Sequence, residues 1–177
     1  MKVPPVDFSE ASFDAVICFQ MIEHLAEPER LVAEISRVTS DDGLAILATV
    51  NKEEALSDNP YHLHEFTAGE LERLLKAHFG SVEMFGVFGD ELFTRYWNSN
   101  RKWVSNVMRI DIFNLSGRLP QSVKQPLFDL ASRLMRTHLK SGDPELCSRI
   151  TRENFLFRRD EFDGCLDFFA VCRKAPA

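Results

Sequence analysis

Apolar and polar positions along this chain switch between the two-residue period of strands and the 3.6-residue period of helices. Ser12 to Phe19 (SFDAVICF) is a near-continuous apolar run, the pattern of a strand covered on both faces, as in a parallel sheet. A helical pattern follows. Pro28 suits a first helical turn, where its missing N–H costs nothing, and Leu31, Ile35 and Val38 recur on one face up to Ser-Asp-Asp-Gly at 40–43, which reads as a stop. Leu44 to Thr49 is a second buried-type strand. Strand, helix, strand is a βαβ unit; its crossover is right-handed in nearly all proteins, so the two strands are expected to lie parallel. Beyond a polar loop through Asn59-Pro60, Thr67 and Glu70 form T-x-x-E, a capping box ahead of a helix whose buried face is Leu71, Leu74 and Leu75. Ser81 to Phe88 reads as a third strand and Cys165 to Arg173 as a fourth.

Between these last two strands the pattern is helical from about Leu92 to Leu139. Phe93, Tyr96, Trp97, Val104, Val107 and Met108 form one apolar group and Leu127, Leu130, Leu134 and Met135 another, split by Gly117 and Pro120. Charge marks the same segment. Thr94 to Lys140 holds nine Lys/Arg (Arg95, Arg101, Lys102, Arg109, Arg118, Lys124, Arg133, Arg136, Lys140) against Asp111 and Asp129, a balance of +7 in a chain whose formal net charge is −6. The reading is an acidic α/β domain over 1–91 and 156–177 that carries a basic, aromatic helical insertion over 92–155.

Composition narrows the function classes. The 177 residues are 45% hydrophobic and 27% charged, which excludes a collagenous or disordered chain. With 27 Asp+Glu against 21 Lys+Arg, a long polyanion would be repelled by the body, so nucleic acid is an unlikely partner. There is no G-x-G-x-x-G and no Walker loop. The four cysteines form no C-x-x-C pair, and Cys18, Cys165 and Cys172 sit in apolar runs as reduced core residues. No apolar stretch reaches the ~18 residues of a bilayer span, and none resembles a targeting segment, so a cytoplasmic location is expected.

Several residues recur in a known order: Phe13-Asp14 opening a strand, Glu23-His24-Leu25 just after it, Arg37-Val38 at a helix end with Gly43 as a turn glycine, then His62, Glu65, Phe66 and Thr67 before a helix. This order resembles class I S-adenosylmethionine-dependent methyltransferases of the bacterial small-molecule type, over roughly Val3 to Gly86 and Leu156 to Lys174. The resemblance implies a Rossmann-like, doubly wound, mostly parallel sheet, present here in part, with a last strand running antiparallel between its neighbours and a lid-like helical insertion before it. It also implies S-adenosylmethionine as methyl donor and a small-molecule acceptor methylated on O or N; the basic insertion would suit an anionic one. The family's first strand with its glycine-rich loop, and the acid closing its second strand, would lie before residue 1. The expectation is therefore a truncated, impaired enzyme, or alternatively a non-catalytic remnant acting as a binding module, with self-association through the exposed edge of the first strand.

The resemblance places Phe19, Gln20 and Met21, at the carboxyl end of that strand, beside the cofactor, where open parallel sheets bind ligands. Gln20, Glu23 and His24 are spaced to share one helical face. Quinone-pathway relatives hold a divalent ion with two acids and a histidine at such positions, but Gln20 removes one of the acids, and no metal is assigned. His24 is either a general base, the chemistry of a group titrating near neutrality, or a structural histidine. His62, His64 and Glu65 lie in the loop that shapes the acceptor's mouth in the family and are assigned to substrate.

Overall fold

The βαβ unit forms with both strands pointing the same way. In the computed structural model, which describes residues 5–55, 59–108, 120, 123, 125–126, 128–130, 133 and 144–174, β1 (Phe13–Phe19) lies parallel to β2 (Thr39–Val50). A single 3-10 turn (Ile22–His24) and α1 (Pro28–Val38) join them. Pro28 occupies the first turn of α1, as its pattern predicts. The helix ends at Val38, where the Thr39 hydroxyl donates to the Ile35 carbonyl at 2.7 Å.

The expected stop at 40–43 is not a turn. These residues belong to β2, and the register jumps from Phe13 opposite Thr39 to Ala15 opposite Leu44, so the polar segment is a bulge in a long strand. Gly43 is needed there because β1 comes close. A Cβ at this position would lie 3.0 Å from the Phe13 and Asp14 carbonyl oxygens and 2.7 Å from Ser40 Oγ.

The five-stranded sheet has the order β1-β2-β5-β3-β4, with β3 at Ser81–Gly89, β4 at Phe155–Arg159 and β5 at Asp167–Arg173. β5 is antiparallel to both β2 and β3, so β1, β2 and β3 are co-directional with one reversed strand inserted among them. This is the arrangement the resemblance implies. Strand β4 was not among the expected elements, since FLFRR with its arginines hides the alternation of a half-buried strand.

One face of the sheet is covered. Ala45, Leu47, Met84, Phe168, Ala170 and Cys172 pack beneath Leu31, Val32 and Ile35 of α1 and Leu71 and Leu75 of α2 (Ala68–Lys76). The start of α2 is the capping box read from sequence: the Thr67 side chain accepts from the Glu70 amide, and the Glu70 carboxylate accepts from the Thr67 amide at 2.9 Å. The opposite face is apolar, and its residues range from half-buried to exposed. Ile17 is 62% exposed and Phe19 51%, while Phe169 at its centre touches Phe19, Phe85 and Phe157 with ring centroids 6.0, 6.4 and 5.2 Å apart.

The chain divides into two compact units. The first, Met1–Ala55, His62–Phe88 and Phe157–Ala177, contains the core just described. The second, Leu56–Tyr61 and Gly89–Leu156, includes α3 (Glu91–Met108) and α4 (Pro144–Arg149). Asp90 anchors the start of α3: its carboxylate accepts from the Phe93 amide at 2.9 Å and from Asn154 Nδ2 at 2.7 Å, and these bonds hold its pKa below the usual value. Phe93 stacks on Trp97 and meets Phe155. Of the second apolar group read from sequence, Leu130 is exposed; Leu127, Leu134 and Met135 lie outside the described residues. So do Gly117, Phe113 and the basic residues Arg109, Arg118, Lys124, Arg136 and Lys140.

All four cysteines are free, and burial pushes Cys18 and Cys165 to about 11 and Cys172 to about 12, so these three are protonated thiols at neutral pH. Among the described residues no helix is long and apolar enough to cross a membrane.

Packing around Gly86 gives a direct check on this arrangement. A Cβ there would sit 2.2 Å from the Glu161 carbonyl oxygen and 2.9 Å from Cys165 Cβ, so the backbone after β4 must move to admit it. Gly86→Ala is expected to cost about 1–3 kcal/mol, measured by urea unfolding of the two proteins.

Candidate active site

At the end of β1 the chain turns sharply. Gln20 adopts φ 50°, a left-handed conformation unusual for a side chain of this kind, and its amide donates to the Ala48 carbonyl of β2 at 2.9 Å. The turn delivers the next residues inward: Ile22 and Glu23 are each only 1% exposed. A buried carboxylate requires hydrogen-bond donors. Glu23 receives one from the Thr49 hydroxyl of β2 at 2.9 Å. Its backbone carbonyl accepts two more, from the amides of Leu63 at 2.8 Å and His64 at 3.2 Å.

Those two bonds bring together segments some 40 residues apart in sequence. The loop after β2 is anchored on the turn after β1 by Glu23, and its far end is fixed by the Lys52 amide donating to the Phe66 carbonyl at 3.1 Å and by the bridge of Asn51 to Phe66. Asn51, itself buried, ties the same corner to the entry of β5 through its side-chain amide, 2.8 Å from the Cys165 carbonyl.

The consequence is a polar cluster at the carboxyl end of β1 and β2. The His62 ring meets the His24 ring edge to face at 4.9 Å, and His62 Nδ1 is 2.6 Å from Glu65 Oε1. Glu23, His24 and His62 each place one nitrogen or oxygen within 4.8 Å of the others. Glu23 is engaged by Thr49 and His62 by Glu65. His64 points elsewhere. It packs against Phe66 at 4.4 Å and lines a cleft of about 330 Å³ with Leu25, Pro28, Glu29 and Arg73.

The three residues assigned to the cofactor differ in availability. Phe19 is half exposed on the open sheet face; Met21 packs against the core. Gln20 Nε2 donates to Asp167 Oδ1 at 3.3 Å. Asp167 was not singled out in the sequence, although a charged residue opening an apolar, antiparallel last strand falls at the same end of the sheet as the carboxyl ends of the parallel ones. Burial pushes its carboxyl above the usual aspartate value; the Gln20 hydrogen bond opposes this and the Glu23 charge adds to it.

Comparison with known proteins agrees with this architecture. A family model described as a methyltransferase domain matches residues 2–47. A probable S-adenosylmethionine-dependent methyltransferase of Mycobacterium tuberculosis strain H37Rv is 40% identical over 85 residues, 45% of this chain and 31% of that protein. Over these stretches the chain is similar to S-adenosylmethionine-dependent methyltransferases. A ubiquinone biosynthesis O-methyltransferase of Neisseria meningitidis serogroup A is 35% identical over 68 residues, 36% of this chain and 26% of that protein. Among solved structures, a SAM-dependent methyltransferase from Thermotoga maritima superposes with a TM-score of 0.52 at 13% identity, covering 96% of this chain and 59% of the other, a likeness of fold. The matched stretch spans about a third of the length of the curated relatives it matches first.

Two substitutions test the site's construction. Thr49→Val removes the hydroxyl that satisfies the buried Glu23 carboxylate and is expected to destabilise the protein by about 1–3 kcal/mol in a denaturant titration. Asp167→Asn is expected to stabilise it. Folding raises the Asp167 pKa, so the folded state binds this proton more tightly than the unfolded chain, and ionised Asp167 costs stability at pH above its folded value. The variant should melt higher at pH 7, with the advantage fading as pH falls through the raised value toward the ordinary 3.8.

Proposed function

We propose that this chain takes part in transferring a methyl group from S-adenosylmethionine to an oxygen or nitrogen atom of a small acceptor. The observation that carries the reading is spatial: the stretch matched by the methyltransferase-domain model, residues 2–47, contains Phe19 to His24, which lie at the carboxyl end of β1. Phe19 offers an exposed ring face on which a flat heterocycle can lie, and the left-handed Gln20 fixes the direction of the chain beside it. Gln20's side chain, engaged with Asp167, and Met21, packed against the core, fit a supporting role around the donor. His24, His62 and Glu65 face the acceptor. S-adenosylmethionine, when bound, supplies an electrophilic methyl group; the protein's part is to align the acceptor and to exclude water.

The alternative reading, a non-catalytic module, is favoured by a different observation. Among the described residues β1 pairs with β2 alone and is the edge of the sheet, with Ile17 and Phe19 exposed on a strand whose one charge is Asp14. Such an edge accepts another strand, and a second copy of the chain fits it.

Isothermal titration with S-adenosylhomocysteine at millimolar concentration separates the two. Binding is expected, and Phe19→Ala should weaken it by about tenfold; no heat from the unaltered chain would sink the methyl-transfer reading. Light scattering coupled to gel filtration then reads self-association, which Ile17→Lys should abolish by placing a charge on the edge.

A further inference from the structure

We propose that the sheet surface beside Phe19 and Phe169 seats an organic cation, a protonated amine on an apolar body, with the Asp167 carboxylate as its counter-charge. Binding at this seat needs no turnover; its assignment to the acceptor rests on the methyl-transfer reading and narrows the acceptor to an amine-bearing molecule.

Strand geometry puts the carboxylate among rings. Asp167 opens β5 two residues before Phe169, and alternate residues of a strand share a face. Phe169 meets Phe19, Phe85 and Phe157, of which Phe19 is 51% and Phe157 57% exposed. The faces of such rings attract a cation that comes within about 6 Å of the centroid. On either side of Asp167 the register places Val50 of β2 and Val87 of β3, which offer its carboxylate no side-chain donor.

Asp167 is short of both donors and positive charge. Among the described residues its side chain takes one hydrogen bond, from Gln20 Nε2 at 3.3 Å, a long bond from a neutral group. An ionised carboxylate has about four acceptor positions. No lysine or arginine among the described residues pairs with it, and the charge that it does feel, Glu23, has its own sign. Burial first, and then that like charge, push the Asp167 carboxyl above its usual value. A half-buried carboxylate in this position is stabilised by a bound cation. A small metal ion would use the carboxylate and leave the rings unused, whereas an ammonium on a hydrocarbon body uses both. The basic insertion suggested an anionic acceptor; the charges beside Phe19 call for the opposite sign.

One nitrogen is thereby excluded from reaction. A protonated amine has no lone pair, so while it is paired with Asp167 it is not the nucleophile, and the methylated atom is a second oxygen or nitrogen of the same molecule.

Phenethylammonium and its neutral counterpart 2-phenylethanol, titrated into the unaltered chain at pH 7 and followed by ¹H–¹³C spectra of the aromatic side chains, test the seat directly. The ammonium is expected to bind about tenfold more tightly than the alcohol and to shift the Phe19 and Phe169 signals. Asp167→Asn should bring the two probes to equal affinity, and since this variant is expected to be more stable than the unaltered chain, the loss is not one of folding. Phe19→Leu should weaken the ammonium by about two- to fivefold. Equal affinity for both probes in the unaltered chain, selectivity that survives Asp167→Asn, shifts confined to residues away from β1 and β5, or displacement of the ammonium by millimolar magnesium each overturns the proposal. Selectivity retained in a chain that gives no heat with S-adenosylhomocysteine upholds the seat and removes the methyl-transfer reading, so the two fail separately.

Discussion

The candidate site depends on how one buried carboxylate-bearing residue is satisfied. Glu23 is almost inaccessible, and in a low-dielectric interior both its side chain and its carbonyl must find donors or the turn that carries it will not fold inward. Thr49 answers the side chain, and the amides of Leu63 and His64 answer the carbonyl. The same three bonds join the turn after β1, the end of β2 and the loop before α2. Together they hold the segment that carries His62 against the turn that carries His24.

The sheet presents two unlike faces. The side under α1 and α2 is closed by aliphatic packing and carries the stability of the first unit, while the other shows an aromatic row centred on Phe169 and an unpaired edge at β1. The polar cluster lies at the carboxyl end of β1 and β2. The cluster lies at the end of the sheet, while the exposed Ile17 and Phe19 lie on its edge strand.

Much of the fold was legible in the sequence because its signals are local. Pro28, the Thr67–Glu70 capping box and the aliphatic repeats of both helices act over a turn or two, and each appears where its pattern places it. Ser40 to Gly43 misled for an equally physical reason. Polar residues with a glycine usually end an element, but here a bulge absorbs them, and Gly43 serves the close approach of the β1 backbone. Strand β4 was missed because charged side chains on an exposed edge erase the alternation by which a strand is recognised.

The candidate site was legible as residue types and not as a constellation. From the sequence alone come the helices and strands, the handed crossover that makes β1 and β2 parallel, and the presence of histidines and acids in the two connections, since these follow from propensity and short-range pattern. Which of them meet was decided by tertiary structure. His62 rather than His64 faces His24 because the Glu23 carbonyl captures the loop at one point, and Asp167 reaches Gln20, 147 residues earlier, because β5 enters the sheet in reverse beside β2. Contacts of that span carry no local signature: they exist only once a long-range hydrogen bond, formed because a buried group cannot go unpaired, has chosen one register among many.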